Sequence, residues 1–222
     1  MQGGNSSSLW VFPSADGSSD LVSWGQCGLV AVSSGPALSV LAVKQEGFVT
    51  LRSWSPNGSR ITAMAWFDGR CTLARAEPLI LVGYANGLID LFSAHNFKEI
   101  CHMRVINRVP STIVWSMTHP YQFYVGTKDG KLYKLLFNHK TTRRMSMLGS
   151  CTLEHSIEFI LQDSFPNTSL VVLSESGVGC CVFEPTFHPG DSFSLFDEFQ
   201  LSGKILSADF YPGSSTYVLL RG

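Results

Sequence analysis

Lys128, Lys131, Lys134, Lys140, Arg143 and Arg144 place six cations within 17 residues that hold one acid, Asp129. Clustered Lys and Arg attract carboxylate and phosphate. Lys131, Lys134, Lys140, Arg143 and Arg144 therefore form a candidate site for a phosphopeptide, an acidic protein, a lipid headgroup or nucleic acid. A solvated outer hairpin accounts for the same residues. Strand geometry narrows the sharper reading. At ~3.3 Å per residue, Lys128 at one end of a strand and Arg143 and Arg144 past the other cannot share a small site.

Catalytic constellations are not legible. The six histidines (His95, His102, His119, His139, His155, His188) are spread singly, without metal-ligand spacing, and His119-Pro120 and His188-Pro189 read as corners. Gly177-Val178-Gly179 is followed by no Gly-Lys-Ser/Thr, and Ser174-Glu175-Ser176-Gly177 lacks the spacing of a nucleophile elbow. Six cysteines (Cys27, Cys71, Cys101, Cys151, Cys180, Cys181) include no Cys-x-x-Cys pair, which makes them reduced, buried thiols. The expectation is a non-enzymatic protein with no cofactor, no metal and no small-molecule substrate. Trp10 and Trp54 read first as core residues and second as interface anchors.

The 222 residues are 45% hydrophobic, 15% charged and 12% aromatic, with 20 glycines, a composition of many short strands and turns. No run reaches the ~18 apolar residues of a membrane helix, and Met1 to Ser8 lacks the basic-then-apolar order of a secretory signal, so a soluble protein of cytoplasm or nucleus is expected. The sequons at Asn5, Asn57 and Asn167 carry no weight without such a signal. The net charge of −1 hides an asymmetry. Residues 1–149 carry 14 Lys/Arg against 8 Asp/Glu, and residues 150–222 carry 2 against 9.

The elements that must position these side chains repeat. Short strands ending in a bulky residue open each unit: Leu21–Trp24, Ala63–Trp66, Thr112–Trp115, Glu158–Leu161 and Ser207–Phe210, with intervals of 42, 49, 46 and 49 between the bulky residues. A second, strongly apolar strand then runs into a glycine turn: Leu29–Val32, Leu79–Gly83, Phe123–Gly126, Leu170–Leu173 and Tyr217–Leu220. Third strands are expected at 37–43, 88–92, 131–137 and 180–183, and fourth strands at 48–53, 99–105, 145–151 and 192–199. Asp129-Gly130 reads as a type I′ hairpin turn, which needs positive φ at both central residues. Leu9–Phe12 is a lone strand, and 193–201 has some helical periodicity between Gly190 and Gly203. Self-similarity at this period is what a four-stranded propeller blade produces.

Units two and three, Ile61–Trp66 with Leu81–Phe92 and Ile113–Trp115 with Val125–Tyr133, resemble the WD-repeat β-propellers. The Gly-His and Trp-Asp pairs of that family are absent, and Ser93-Ala94, Asn138-His139 and Glu184-Pro185 stand where units close. The resemblance implies an all-β propeller of four-stranded antiparallel blades at 20–59, 60–107, 108–154, 155–203 and, in part, 204–222, after an amino-terminal segment 1–19 with one strand at 9–12. It also implies that Arg60, Arg108, Lys128 and Lys204, in loops between strands, ring one partner-binding face.

Four units and half of a fifth leave sheet edges that soluble proteins avoid. The expectations are an incomplete propeller from a longer protein or an alternative product of it, missing strands supplied by a partner, or a closed five-blade ring with Leu9–Phe12 joining the last hairpin. The function expected is a protein-protein interaction scaffold, a subunit of a multiprotein complex. The alternatives are an anion or nucleic-acid binding module using 128–144 and, more weakly, a propeller enzyme.

Overall fold

In a computed structural model the chain is described at residues 9–13, 19–25, 28–67, 78–105, 108–116, 119, 121–139, 142–162, 169–183, 194–210 and 217–221. These form two compact units, Ser7–Pro110 and Ser111–Gly222. Every regular element among the described residues is a strand.

The first unit holds a five-stranded sheet in the order β1 (Leu9–Pro13), β2 (Ser19–Trp24), β3 (Leu29–Ser34), β4 (Ala37–Lys44), β5 (Gly47–Trp54). A four-stranded sheet follows: β6 (Ile61–Trp66), β7 (Leu79–Tyr84), β8 (Leu88–Ser93), β9 (Glu99–Arg104). The second unit holds β10 (Pro110–Trp115), β11 (Gln122–Thr127), β12 (Lys131–Asn138), β13 (Arg144–Thr152), then β14 (Phe159–Gln162), β15 (Ser169–Leu173), β16 (Val178–Phe183), β17 (Ser194–Gln200), and the pair β18 (Ile205–Phe210) and β19 (Tyr217–Arg221). All pairings are antiparallel between sequential strands, as short connections require. β1 pairs with β2, from Leu9 opposite Ser23 to Pro13 opposite Ser19, and not with the last hairpin. Residues 194–200 are a strand rather than a helical turn, held by the β16 ladder.

Middle strands are the most buried. Every residue of β7 is buried, while at the sheet edges β5 is exposed at all but one position and β9 and β13 are exposed or half-buried throughout. A strand apolar throughout needs cover on both faces, and adjacent sheets supply it. In the first unit Leu21, Ala31, Leu38 and Val40 pack on Ile61, Met64, Trp66, Ile80, Val82 and Tyr84. In the second, Tyr124 and Leu132 pack on Ile160, Leu170, Val172, Cys180 and Val182.

Two repeated details fix the geometry. Each fourth strand carries a bulge against the third, at Val40/Leu41, Leu91/Phe92, Lys134/Leu135 and Cys180/Cys181. An extra residue there bends the outer strand and strengthens its twist. Three of the turns between second and third strands are closed by a glycine: Gly87 N–H to the Tyr84 carbonyl at 2.9 Å, Gly130 to Thr127 at 3.1 Å, Gly177 to Ser174 at 3.1 Å. The carbonyls of these glycines accept the N–H of Val105, Leu153 and Leu201, which tie the end of each fourth strand to the turn. The Asp129-Gly130 turn is therefore not type I′. Positive φ occurs at Gly130 (79°), and Asp129 is not among the positive-φ residues. The left-handed residue closes a longer loop, and the Leu153 and His155 carbonyls press where a Cβ would stand.

The repeat's landmark also shifts. Trp66 pairs with Ile80, four residues before Tyr84, and Gln162 pairs with Leu170, four before Ser174. Gln162, not Leu161, occupies the tryptophan's place in the fourth unit, buried at 4% exposure.

Candidate partner-docking surface

The turn Tyr84–Gly87 gathers three arginines. The Arg60 carbonyl accepts the Ala85 N–H at 2.8 Å, Arg104 Nη1 donates to the Asn86 carbonyl at 3.4 Å, and the Arg108 backbone abuts Gly87, its oxygen 2.8 Å from a Cβ added there. All three arginines are exposed. The fold brings them together because the loop before β6, the end of β9 and the loop before β10 all close on this one turn. Arg60 and Arg108 were legible in the sequence; Arg104 was not. Its signal was its place at the end of a fourth strand, the end that the Gly87 carbonyl fastens through Val105.

Tyr84, at the start of this turn, and Asp90 of β8 form a buried polar pair. Both residues are nearly inaccessible, and neither the Tyr84 hydroxyl nor Asp90 Oδ1 makes a hydrogen bond of full geometry. Burial pushes the Asp90 carboxyl up to about 6; the Tyr84 phenol opposes this, Glu99 adds to it and His102 opposes it. Burial and then Asp90 raise the Tyr84 phenol. On the exposed face of β9, His102 Nδ1 and Glu99 Oε1 lie 2.7 Å apart, and that contact raises the imidazole pKa.

In the second unit the cations are distributed differently. Lys128 is exposed in the Thr127–Gly130 turn, and Thr127 Oγ1 accepts the Lys131 N–H at 3.0 Å to hold that turn. Lys204 pairs with Glu175 at 3.1 Å, both more than half exposed, so the pair adds little stability. Glu158 Oε2 accepts the Glu175 N–H and the Ser156 hydroxyl.

The anion-binding group of the sequence does not form one surface. Lys134 is 1% exposed, its Nζ 5.9 Å from the Tyr124 ring centroid, and burial lowers its pKa to about 8. Alternation along β12 turns it into the core, where β8 has Leu91. Lys131 Nζ donates to Thr152 Oγ1 at one end of the β12–β13 pair, whereas Arg144 pairs with Asn138 at the other. Arg143 is exposed beside it with φ 49°, and Lys140 lies outside the described residues.

Among the described residues no group of three or more His, Cys, Asp or Glu could hold a metal ion. Trp54 is a packing residue, its ring 5.7 Å from Phe92 and 5.9 Å from Phe97; the side chain of Trp10 lies outside the described residues. Cys180 is buried, and Cys101, Cys151 and Cys181 are partly so, none of them in a disulfide.

No family model and no curated protein matches the sequence. Solved structures do match. A chain of the mitotic checkpoint complex superposes with a TM-score of 0.70 at 10% identity, over 95% of this chain and 72% of that one. A chain of the ctPRC2 complex gives 0.66 at 9% identity, over 97% and 46%. A chain of a humanized mutant of the Chaetomium thermophilum polycomb repressive complex 2 gives 0.62 at 10%, over 92% and 45%. The fold is that of the WD-repeat β-propellers. The chain spans less than half the length of the two polycomb chains.

Proposed function

We propose that this propeller chain is a non-enzymatic interaction scaffold, a subunit of a multiprotein complex in cytoplasm or nucleus, and that it docks an acidic segment of a protein partner on the Tyr84–Gly87 turn. The convergence of Arg60, Arg104 and Arg108 on that turn carries the reading. Guanidinium groups bind carboxylates bidentately, and the bond from Arg104 Nη1 to the Asn86 carbonyl reduces the entropy that this side chain loses on docking. Lys128 and Lys204 stand at the corresponding turns of the other unit, and the same reading is tested on them separately. The structural neighbours are chains of multiprotein complexes, which supports it. No helix among the described residues is long and apolar enough to cross a membrane.

Affinity capture of the full-length protein from its native cells, with mass spectrometry, tests the proposal. Arg104→Glu with Arg108→Glu should lose a defined set of protein partners while circular dichroism and Tm stay those of the wild type. An unchanged partner set in that variant, in one that also carries Arg60→Glu and in a separate variant with Lys128→Glu and Lys204→Glu overturns it. So does recovery of nucleic acid alone, with the steep salt dependence of phosphate neutralisation.

A further inference from the structure

The outer edge of the first sheet differs from those of the second and third sheets. β5 is exposed at every position but Trp54, and it presents Phe48 at 60%, Val49 at 49% and Leu51 at 46% exposure. Val43 and Trp24 extend the patch at 40% and 43%, and the Trp24 and Phe48 rings meet edge to face at 6.2 Å. From Gly47 to Leu51 the strand carries no charge and no proline. An edge of this kind is a template for another strand unless something blunts it. β9 is blunted by Glu99, His102 and Arg104, and β13 opens on Arg144 and exposes one large apolar residue, Met147.

The charges that flank β5 select the incoming strand. Glu46 precedes it and Arg52 stands near its far end, with the Arg52 guanidinium already held over the Trp54 ring at 5.3 Å and the Phe97 ring at 5.9 Å. Two copies of β5 running antiparallel bring the Glu46 end of each against the Arg52 end of the other. Two copies running parallel bring like charges together. An antiparallel pairing of identical strands is also closed: it has a two-fold axis, buries the same patch on both copies and does not propagate.

We propose that β5 is a homodimer interface, in which the β5 strands of two copies pair antiparallel about Val49, Phe48, Val49 and Leu51 cover one another, and Glu46 meets Arg52 of the second copy. The bulge that opposes Val40/Leu41 to Arg52 and Thr50 leaves Leu51 unpaired in the ladder. It ends the regular edge at Thr50, so few backbone hydrogen bonds form and the dimer belongs to the weak, concentration-dependent class.

Sedimentation equilibrium of the full chain across a concentration series tests this. Dimers that dissociate on dilution are expected. Val49→Lys, at an exposed position and with its fold checked by circular dichroism, should give monomer throughout. Glu46→Arg and Arg52→Glu should each weaken the dimer about three- to fivefold, as expected for rim charges, and the double variant should regain wild-type affinity. Monomer at every concentration overturns the proposal. So does a dimer indifferent to Val49→Lys, and so does a double variant no better than the two single ones.

Discussion

The indole Nε1 of Trp66 donates to the Ser23 carbonyl at 2.9 Å, and its ring lies flat enough on Gly25 that an added Cβ would come 2.8 Å from Cδ2. One side chain of the second sheet thus satisfies a backbone oxygen of the first and fills the space that a missing Cβ leaves. Trp66→Phe should lower stability by about 1–3 kcal/mol, from the lost hydrogen bond and lost packing. Gly25→Ala should cost a similar amount by overpacking. Chemical denaturation of both variants measures this, and wild-type midpoints for the pair would remove the contact from the account of the fold.

Asp90 should make stability fall with rising pH. Its carboxyl is raised from 3.8 to about 6 by burial, so the folded state holds a proton there that the unfolded state has released. The contribution is complete below pH ~4 and is lost as pH climbs through 6. Asp90→Asn should raise Tm at pH 7.5 and flatten the slope between these limits, by about 1–3 kcal/mol. Thermal melts across that range read it directly.

Lys134 has the opposite sign. Burial lowers its pKa to about 8, so the unfolded chain binds the extra proton between 8 and the ordinary 10.5, and stability should rise with pH across that window. Lys134→Met, close in volume and uncharged, should stabilise the protein at neutral pH by about 1–3 kcal/mol and abolish that rise. Loss of stability at neutral pH on this substitution would mean that the ammonium is more strongly compensated than its burial implies.

Gly177 has φ 86°, and an added Cβ would meet the Leu201 carbonyl at 2.5 Å. Gly177→Ala should cost more than the ~1 kcal/mol of left-handed backbone alone, because the Leu201 N–H bond to the Gly177 carbonyl must loosen with it. Faster amide exchange at Leu201 would report that loosening.

The thiols of Cys151 and Cys180 should be inert. Burial pushes them up to about 12 and about 11, and the thiolate is the reactive form. Maleimide labelling of native protein near neutral pH should leave both unmodified, with full reaction in denaturant.

Much of the fold was readable because each strand is short and nearly independent of its neighbours in sequence. The glycine turn after the second strands of the three middle repeats, at Gly87, Gly130 and Gly177, is written in residue types, and the strand runs either side of it agree with the ladders to within a residue or two. The failures have physical causes. Hydropathy chose Leu161 over Gln162 because a buried amide does not look buried in a sequence. Asp-Gly suggested a two-residue turn because the carbonyls that press on Gly130 come from residues more than twenty positions away.

By itself, the sequence determined the class of structure: a period, alternating strand runs and punctuating glycines admit little but stacked four-stranded sheets. Tertiary structure decided the surface. Whether a cation faces water or core depends on strand register, which turned Lys134 inward. Whether distant residues border one turn depends on which strand ends that turn fastens, and that set Arg104 on the turn that the Arg60 and Arg108 backbones also touch. A one-residue change of register moves a side chain to the opposite face while leaving the pattern of residue types intact, so only the assembled sheets could specify it.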